Sequence, residues 1–574
     1  MAPPMLRRQR QPHRLVGWKI GIDPVLKRSF AGVIAALSAG LAGALMAAAP
    51  VQAGETLSFS YGPLIRSLKI SSLKTFADSG KVPEDLAYFL QFSSPKQQVE
   101  FRKALVQKTT MDPLLVSRFF NSAMGESLLE RLGRAITITR AGNGKYAIRS
   151  ALVAAAFSKD GLSLLSVLEQ LPTNVQIHGE AVLGAAKAGE RVIKATETLT
   201  TTLRNLTAQE AATQTPVDYA ALPDPRKPGP FVVKKDVWNL VDQGRQRKFY
   251  VDVYRPEGKE QKATSIIVFS HGLASRPEDF EEALKHLATH GFLVAAPQHP
   301  GSDAIWLKEM LNGLHKDIFD GQEFVNRPKD ISYVIDELGR RNQKQFGGKL
   351  DLERVGVAGH SFGGYTVLAI AGASIDFDHL KQECDREFGG LNASLLLQCR
   401  ALELPRQTYQ LQDPRAAAVF AGNPVNRAIF GPKGLSNITI PILIGSGSYD
   451  PAAPAAMEQA ASFTWLTVPQ RYWMMAEGQA HVNFSKIDPG IEDAIKSATN
   501  LTLPSQGLIS GYVNAIIVPF FATHIQNSDS FRPFLRPAYA QYLSKNQTFK
   551  LDFISGASTP GLVNAIETFK KNNR

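Results

Sequence analysis

Cysteine is nearly absent from this chain: 574 residues contain two, Cys384 and Cys399. That excludes a small disulfide-stapled scaffold. Neither has the His or Cys neighbours a zinc site needs, so the sequence calls for no metal. Acidic side chains are also in deficit, 52 against 64 basic ones, for a formal charge of +12. Residues 1–53 hold seven basic groups (Arg7, Arg8, Arg10, Arg14, Lys19, Lys27, Arg28) and one acid, Asp23, a net of +6 that leaves +6 for the rest. Half the basicity therefore belongs to a leader. The remaining Lys and Arg are interspersed with acids and form no phosphate-binding stripe, which excludes nucleic acid as the expected partner. The composition, 44% hydrophobic and 20% charged with 45 Gly and 34 Pro, carries no bias toward disorder, collagen or a polytopic membrane protein.

What is present begins with a secretory pattern. A basic stretch to Arg28 precedes an Ala/Gly/Leu-rich run from Ala31 to Ala49, and Val51-Gln52-Ala53 then offers small residues at alternate positions. Residues 1–53 thus read as a signal peptide cleaved before Gly54, with a retained anchor as the alternative. Export to the periplasm or the extracellular space follows, and there Cys384 and Cys399 are expected to pair. Residues 54–178 read as a small, mainly helical accessory domain after a short extended start. Ser94-Pro95-Lys96-Gln97 supplies an N-cap, a first-turn Pro and a capping-box Gln, and Leu128, Leu129, Leu132 and Ile136 form a helical stripe. Residues 179–230 read as one amphipathic helix and a Pro-rich linker. From 231 to 574, short apolar runs (Ser265–Phe269, Phe292–Ala296, Val355–Ala358, Ile438–Ile444) alternate with helical stretches, predicting a mostly parallel sheet covered by helices on both faces. Lid-like insertions are expected around 305–324 and 376–407.

The chemistry centres on Gly359-His360-Ser361-Phe362-Gly363-Gly364. A strand pattern, Arg354 to Ala358, runs into it and a helical one, Tyr365 to Ala373, leaves it, so Ser361 is expected on a sharp strand-to-helix turn that glycines at 359 and 363 permit. A serine attacks only if a base takes its proton and an acid orients that base. In the order Ser, acid, His, the base is His481, with His524 the less suited candidate inside an apolar helical run. The acid is Asp450, on the loop after Ile438–Ile444, with Glu477 and Asp303 in reserve. Oxyanion donors are expected from the backbone N–H groups of Phe362 and Leu273. His271 precedes the elbow and reads as a structural loop histidine. Residues 54–178 carry no comparable constellation.

Phe269-Ser270-His271-Gly272-Leu273, His290 to Ala296, Gly359 to Gly364 with Thr366-Val367, and His481-Val482-Asn483-Phe484 resemble the plasma-type platelet-activating-factor acetylhydrolases and the secreted bacterial hydrolases termed dienelactone-hydrolase-like. Tyr61-Gly62-Pro63-Leu64 is similar to the domain of unknown function that precedes such hydrolases in cyanobacteria. The resemblance implies the α/β-hydrolase fold and an ester hydrolase with Ser361 and His481 in its triad; no cofactor is expected. Two departures bear on it. In the acetylhydrolases the acid follows the preceding strand, where this chain has Gly422-Asn423-Pro424; true dienelactone hydrolases use a cysteine nucleophile. The expected substrate is a small-molecule or lipid ester, a membrane-surface or envelope contact stays open, and no oligomeric state is specified. A catalytically silent binding module and an acyltransferase with the same triad are the competing functions.

Overall fold

The computed structural model describes residues 54–91, 93–109, 111–138, 142–258, 263–386, 392–481 and 503–573. The leader, residues 1–53, lies outside them, as do Val482, Asn483 and Phe484. Two sheets organise the described chain. The smaller is built from β1 (Thr56–Tyr61), β2 (Leu64–Lys69), β3 (Ile136–Ile138), β4 (Gly142–Asn143) and β5 (Val175–His178) in the order β2-β1-β5-β3-β4. β1 and β5 pair in parallel, with Leu57 opposite Val175, so the two ends of this region close on each other. The helices between them include Pro95–Val106, which starts on a complete Ser94/Gln97 capping box. Beyond the extended start, the sequence reading has only helices here. β3, β4 and β5 are two to four residues long, too short for a period-two alternation to register.

The larger sheet comprises β6 (Val232–Asp242), β7 (Arg247–Glu257), β8 (Thr264–Ser270), β9 (Leu293–Pro297), β10 (Leu350–His360), β11 (Ala416–Gly422), β12 (Ile442–Gly447), β13 (Arg471–Ala476) and β14 (Leu551–Ser555), ordered β14-β13-β12-β11-β10-β8-β9-β7-β6. The strands from β13 to β9 in that order run parallel; β7 joins β9, and β14 joins β13, antiparallel. Strands buried on both faces need apolar side chains in both directions. Ile266 and Val268 accordingly enter one core, shared with helices Glu323–Phe346 and Phe362–Ile370, while Ile267 and Phe269 enter the other, shared with helix Gln506–His524. That last helix is long and apolar enough to cross a membrane, but most of it is buried as a core helix. β12 begins at Ile442 rather than Ile438, because Pro441 has no N–H to give a ladder.

The chain from Gly54 onward is one compact unit, and two sets of contacts help to hold it together. Helix Ala123–Ala135 donates its Ala123 N–H to Asp317 Oδ1 (2.7 Å), Arg131 reaches the Cys384 carbonyl (3.4 Å), and Met124, Leu115 and Phe119 join the core on that side of the sheet. Both partners lie in the insertions, the second of which is cross-linked by a Cys384–Cys399 disulfide with Cα atoms 5.8 Å apart. The 34-residue helix Gly179–Ala212 then seals the open edge of the large sheet. Thr207 Oγ1 accepts from the Phe553 N–H (3.0 Å) and donates to the Phe553 carbonyl (3.1 Å), and Glu210 takes the Ser555 N–H (3.1 Å) and the Ser558 hydroxyl (2.7 Å). An edge strand so covered offers no template for pairing with another chain.

Asp552, beside that clasp, is 3% exposed and has Arg204 at 3.8 Å. Burial pushes its carboxyl up to about 7; Arg204 lowers it less than burial raises it, and Glu477 adds to the rise. An unfolded Asp titrates near 3.9. From about pH 4 to 7 the folded protein therefore holds a proton the unfolded chain has released, and stability falls as pH rises through that window. Asp552→Asn should unfold at a higher denaturant concentration than wild type at about pH 8, with the gap narrowing toward pH 5. Urea unfolding curves at both pH values check this; equal gaps at the two would refute it.

Candidate active site

β10 ends at His360 and helix Phe362–Ile370 starts two residues later, so Ser361 makes the entire turn alone. Its backbone takes φ +57° and ψ −115°, strained for a residue with a Cβ. The flanking glycines allow it. A Cβ at Gly359 would lie 2.2 Å from the Gly363 carbonyl oxygen, and one at Gly363 would lie 1.9 Å from that of Ser270. The Ser361 N–H donates to the Gly422 carbonyl (2.9 Å), which ties the turn to β11.

Three loops then converge. The Ser361 hydroxyl donates to His481 Nε2 (2.8 Å), and His481 Nδ1 donates to Asp450 Oδ2 (2.7 Å). Asp450 follows β12 and His481 follows β13. Burial by itself would raise the Asp450 carboxyl, but the His481 ring, the Ala453 N–H (2.8 Å) and the Asn423 side-chain amide (2.6 Å) outweigh it and hold the acid below the usual carboxylate range. It stays charged where a neighbouring imidazolium needs it. Phe362, at the first turn of the helix, and Leu273, after β8, are the expected oxyanion donors. The loop bearing Leu273 does lie against the nucleophile: a Cβ at Gly272 would sit 3.5 Å from Ser361 Cβ.

The remaining candidates are employed elsewhere. His524 packs on Tyr472 and Phe520 at the end of its helix. Glu477 pairs with Arg204 (2.9 Å) and accepts the Lys550 N–H (3.0 Å), and Asp303 caps helix Ala304–Leu311 through the Trp306 N–H (2.8 Å). His271 is fully buried, and burial followed by the Arg327 charge holds its ring well below the usual histidine range. It is neutral, with Nδ1 donating to the Gly272 carbonyl (2.8 Å) and Nε2 accepting the His299 N–H (3.2 Å).

Sequence reasoning missed Asn423 as a participant altogether, and it placed His360 in the elbow without its role. Asn423, at φ +46° after β11, stands where the resembled family has its acid; here it donates to Asp450 and accepts from Gln479 Nε2 (3.3 Å). The absence of a carboxylate from Gly422-Asn423-Pro424 was the only signal. His360 Nε2 donates to the His481 backbone carbonyl (2.9 Å), and burial followed by the His481 ring brings its own ring down to about 3, so it is a neutral strut. A second Ser-His-Asp string was also missed: Ser270 Oγ to His299 Nε2 (2.9 Å), and His299 Nδ1 to Asp330 Oδ2 (2.9 Å). All three residues have no exposure at all, and Asp330 is committed to Arg245 and Arg247. No substrate reaches it. An apolar cavity behind His360, lined by Phe280, Leu284 and Ile517 among others, does not include Ser361 or His481 in its lining.

The family model described as an alpha/beta hydrolase of unknown function (DUF1400) matches residues 53–178. The chlorophyllase model matches residues 251–383, the stretch from β7 through the elbow. The fold is the α/β-hydrolase fold. Hydrolysis is the reaction class that the two matches support. The chlorophyllase match carries Ser361 but stops short of Asp450 and His481, and the other lies wholly within the N-terminal region. No curated protein matches the chain.

Proposed function

We propose that this α/β hydrolase is an exported serine esterase that cleaves carboxylic esters, lipid-like or short-acyl, through an acyl-enzyme. The observation that carries the reading is the unbroken chain of hydrogen bonds from Ser361 Oγ through His481 to Asp450, at a strained elbow faced by the Gly272 loop. The match to a chlorophyllase model favours esters over amides or ethers. A disulfide and the signal-like leader support an oxidising, exported location.

On this reading His481 Nε2 takes the Ser361 proton as Oγ attacks the ester carbonyl carbon. The N–H groups of Phe362 and Leu273 hold the oxyanion, and Asp450 stabilises the imidazolium. His481 then gives its proton to the departing alcohol. Water repeats the sequence on the acyl-serine and releases the acid. A series of p-nitrophenyl esters of rising acyl length tests this, with a phospholipid included and an added alcohol as competing acceptor. Turnover of at least one ester with release of free acid is the expected result. A folded protein inert on every ester would refute the reading, and capture of the acyl group by the alcohol in preference to water would make the enzyme a transferase.

A further inference from the structure

Arg327, on helix Glu323–Phe346, has no exposure to solvent. A buried guanidinium ordinarily sits against a carboxylate, because leaving the charge uncompensated is expensive. Glu323, Asp330 and Asp303 lie near enough to offset its charge, but its N–H groups are spent on a loop. Nη1 donates to the His271 carbonyl (2.6 Å), Nη2 to the carbonyls of Gly272 (3.2 Å) and Ser302 (3.5 Å), and Nε to the Ser302 hydroxyl (2.8 Å). Its carbon Cζ also lies 4.4 Å from the centre of the Phe362 ring.

Peptide geometry turns those contacts into a statement about the site. In a trans peptide the C=O and the following N–H point in opposite directions. Pulling the carbonyls of His271 and Gly272 toward Arg327 therefore turns the N–H groups of Gly272 and Leu273 away from it. The Gly272 carbonyl is fixed twice over, since His271 Nδ1 donates to it as well. On the other side, the Phe362 ring resting on the guanidinium holds the residue whose N–H is the second donor.

We propose that Arg327 is a positioning residue that sets both halves of the oxyanion hole, from beneath, without touching substrate. The proposal rests on the esterase reading. It accounts for an arginine at this position: the loop carbonyls need a rigid donor fork, and Arg supplies one where Lys has a single rotatable ammonium. Ser302, itself buried and donating to Glu323 (3.0 Å), locks the fork in plane.

The test is Arg327→Lys, with Ser302→Ala as the milder variant should the first fail to fold. Acylation is followed in a single turnover, and affinity for a trifluoromethyl ketone, which mimics the tetrahedral adduct, is compared with affinity for the ester. Arg327→Lys should slow acylation about a hundredfold, in the range of losing one oxyanion donor, and weaken the ketone in proportion, with KM and the pH midpoint of kcat/KM nearly unchanged. Ser302→Ala should cost roughly tenfold in the same two quantities. A residue that merely supports the fold would lower stability without separating ketone from ester. Folded Arg327→Lys acylating within about threefold of wild type overturns the proposal, as does equal weakening of ketone and ester; if only Ser302→Ala folds, unchanged acylation in it does the same. Should Ser361→Ala remain active, the esterase reading itself fails; should Ser361→Ala be inactive while the Arg327 variant is normal, only this proposal does.

Discussion

Ser361→Ala should lower ester turnover roughly a million-fold while the protein keeps its circular dichroism spectrum and its unfolding midpoint. The size follows from how the residues act as a unit: without Oγ, His481 has no proton to take, and what survives is hydrolysis by water assisted by the oxyanion donors. The preserved fold follows from the backbone. Ser361 makes its structural contacts through its N–H to Gly422 and its carbonyl to Tyr365 (3.1 Å), which alanine keeps. Alanine at φ +57° inherits the strain but adds none. Steady-state kinetics on the best ester measures it, and variant activity within tenfold of wild type would contradict the assignment of the nucleophile.

Asp450→Asn should cost on the order of ten-thousand-fold in kcat near neutral pH, with little change in the position of the loop. The carboxylate accepts from four groups: His481 Nδ1, the Asn423 amide and the N–H groups of Ala452 (2.9 Å) and Ala453. An amide oxygen can still take the two backbone donors. Its NH₂ would then face His481 Nδ1 and the Asn423 NH₂, so the imidazole turns its lone pair to Nδ1 and its proton to Nε2, the wrong tautomer for a base. Asn423 makes the case instructive, since a second carboxylate at 423 could accept from the same ring only if Asp450 gave way. The kinetics of Asp450→Asn are read over pH. A loss of less than about tenfold would place the acid elsewhere.

How far the sequence displays this site depends on whether the determinant is local. The elbow is legible because its causes are a few residues apart: Gly359 and Gly363 remove the two Cβ atoms that would strike backbone. The order of Ser361, Asp450 and His481 is legible because each follows a readable apolar strand. The capping box at Ser94 is visible for the same reason. Contacts set by tertiary packing are not. Arg327 lies 55 residues from the Gly272 carbonyl it holds, on a helix whose other charges look equally solvated in the sequence. Asn423 reveals its role only through Asp450, 27 residues on. The small N-terminal sheet joins strands from both ends of a region more than a hundred residues long, and the clasp of Thr207 on Phe553 spans 346. Even the Ser270-His299-Asp330 string shows the limit, because the same three residue types are joined in the same connectivity and differ from the candidate site in their complete burial and in the pairing of Asp330 with Arg245 and Arg247.

The central claim is that Ser361 is a nucleophile activated by His481, and covalent trapping tests it most directly. The full-length protein is treated with a fluorophosphonate, digested, and its peptides are weighed. The account predicts one phosphonyl adduct, on the peptide containing Ser361, formed rapidly in wild type and far more slowly in His481→Ala. An adduct on any other serine, Ser270 included, or no adduct on a protein that remains folded, would contradict it.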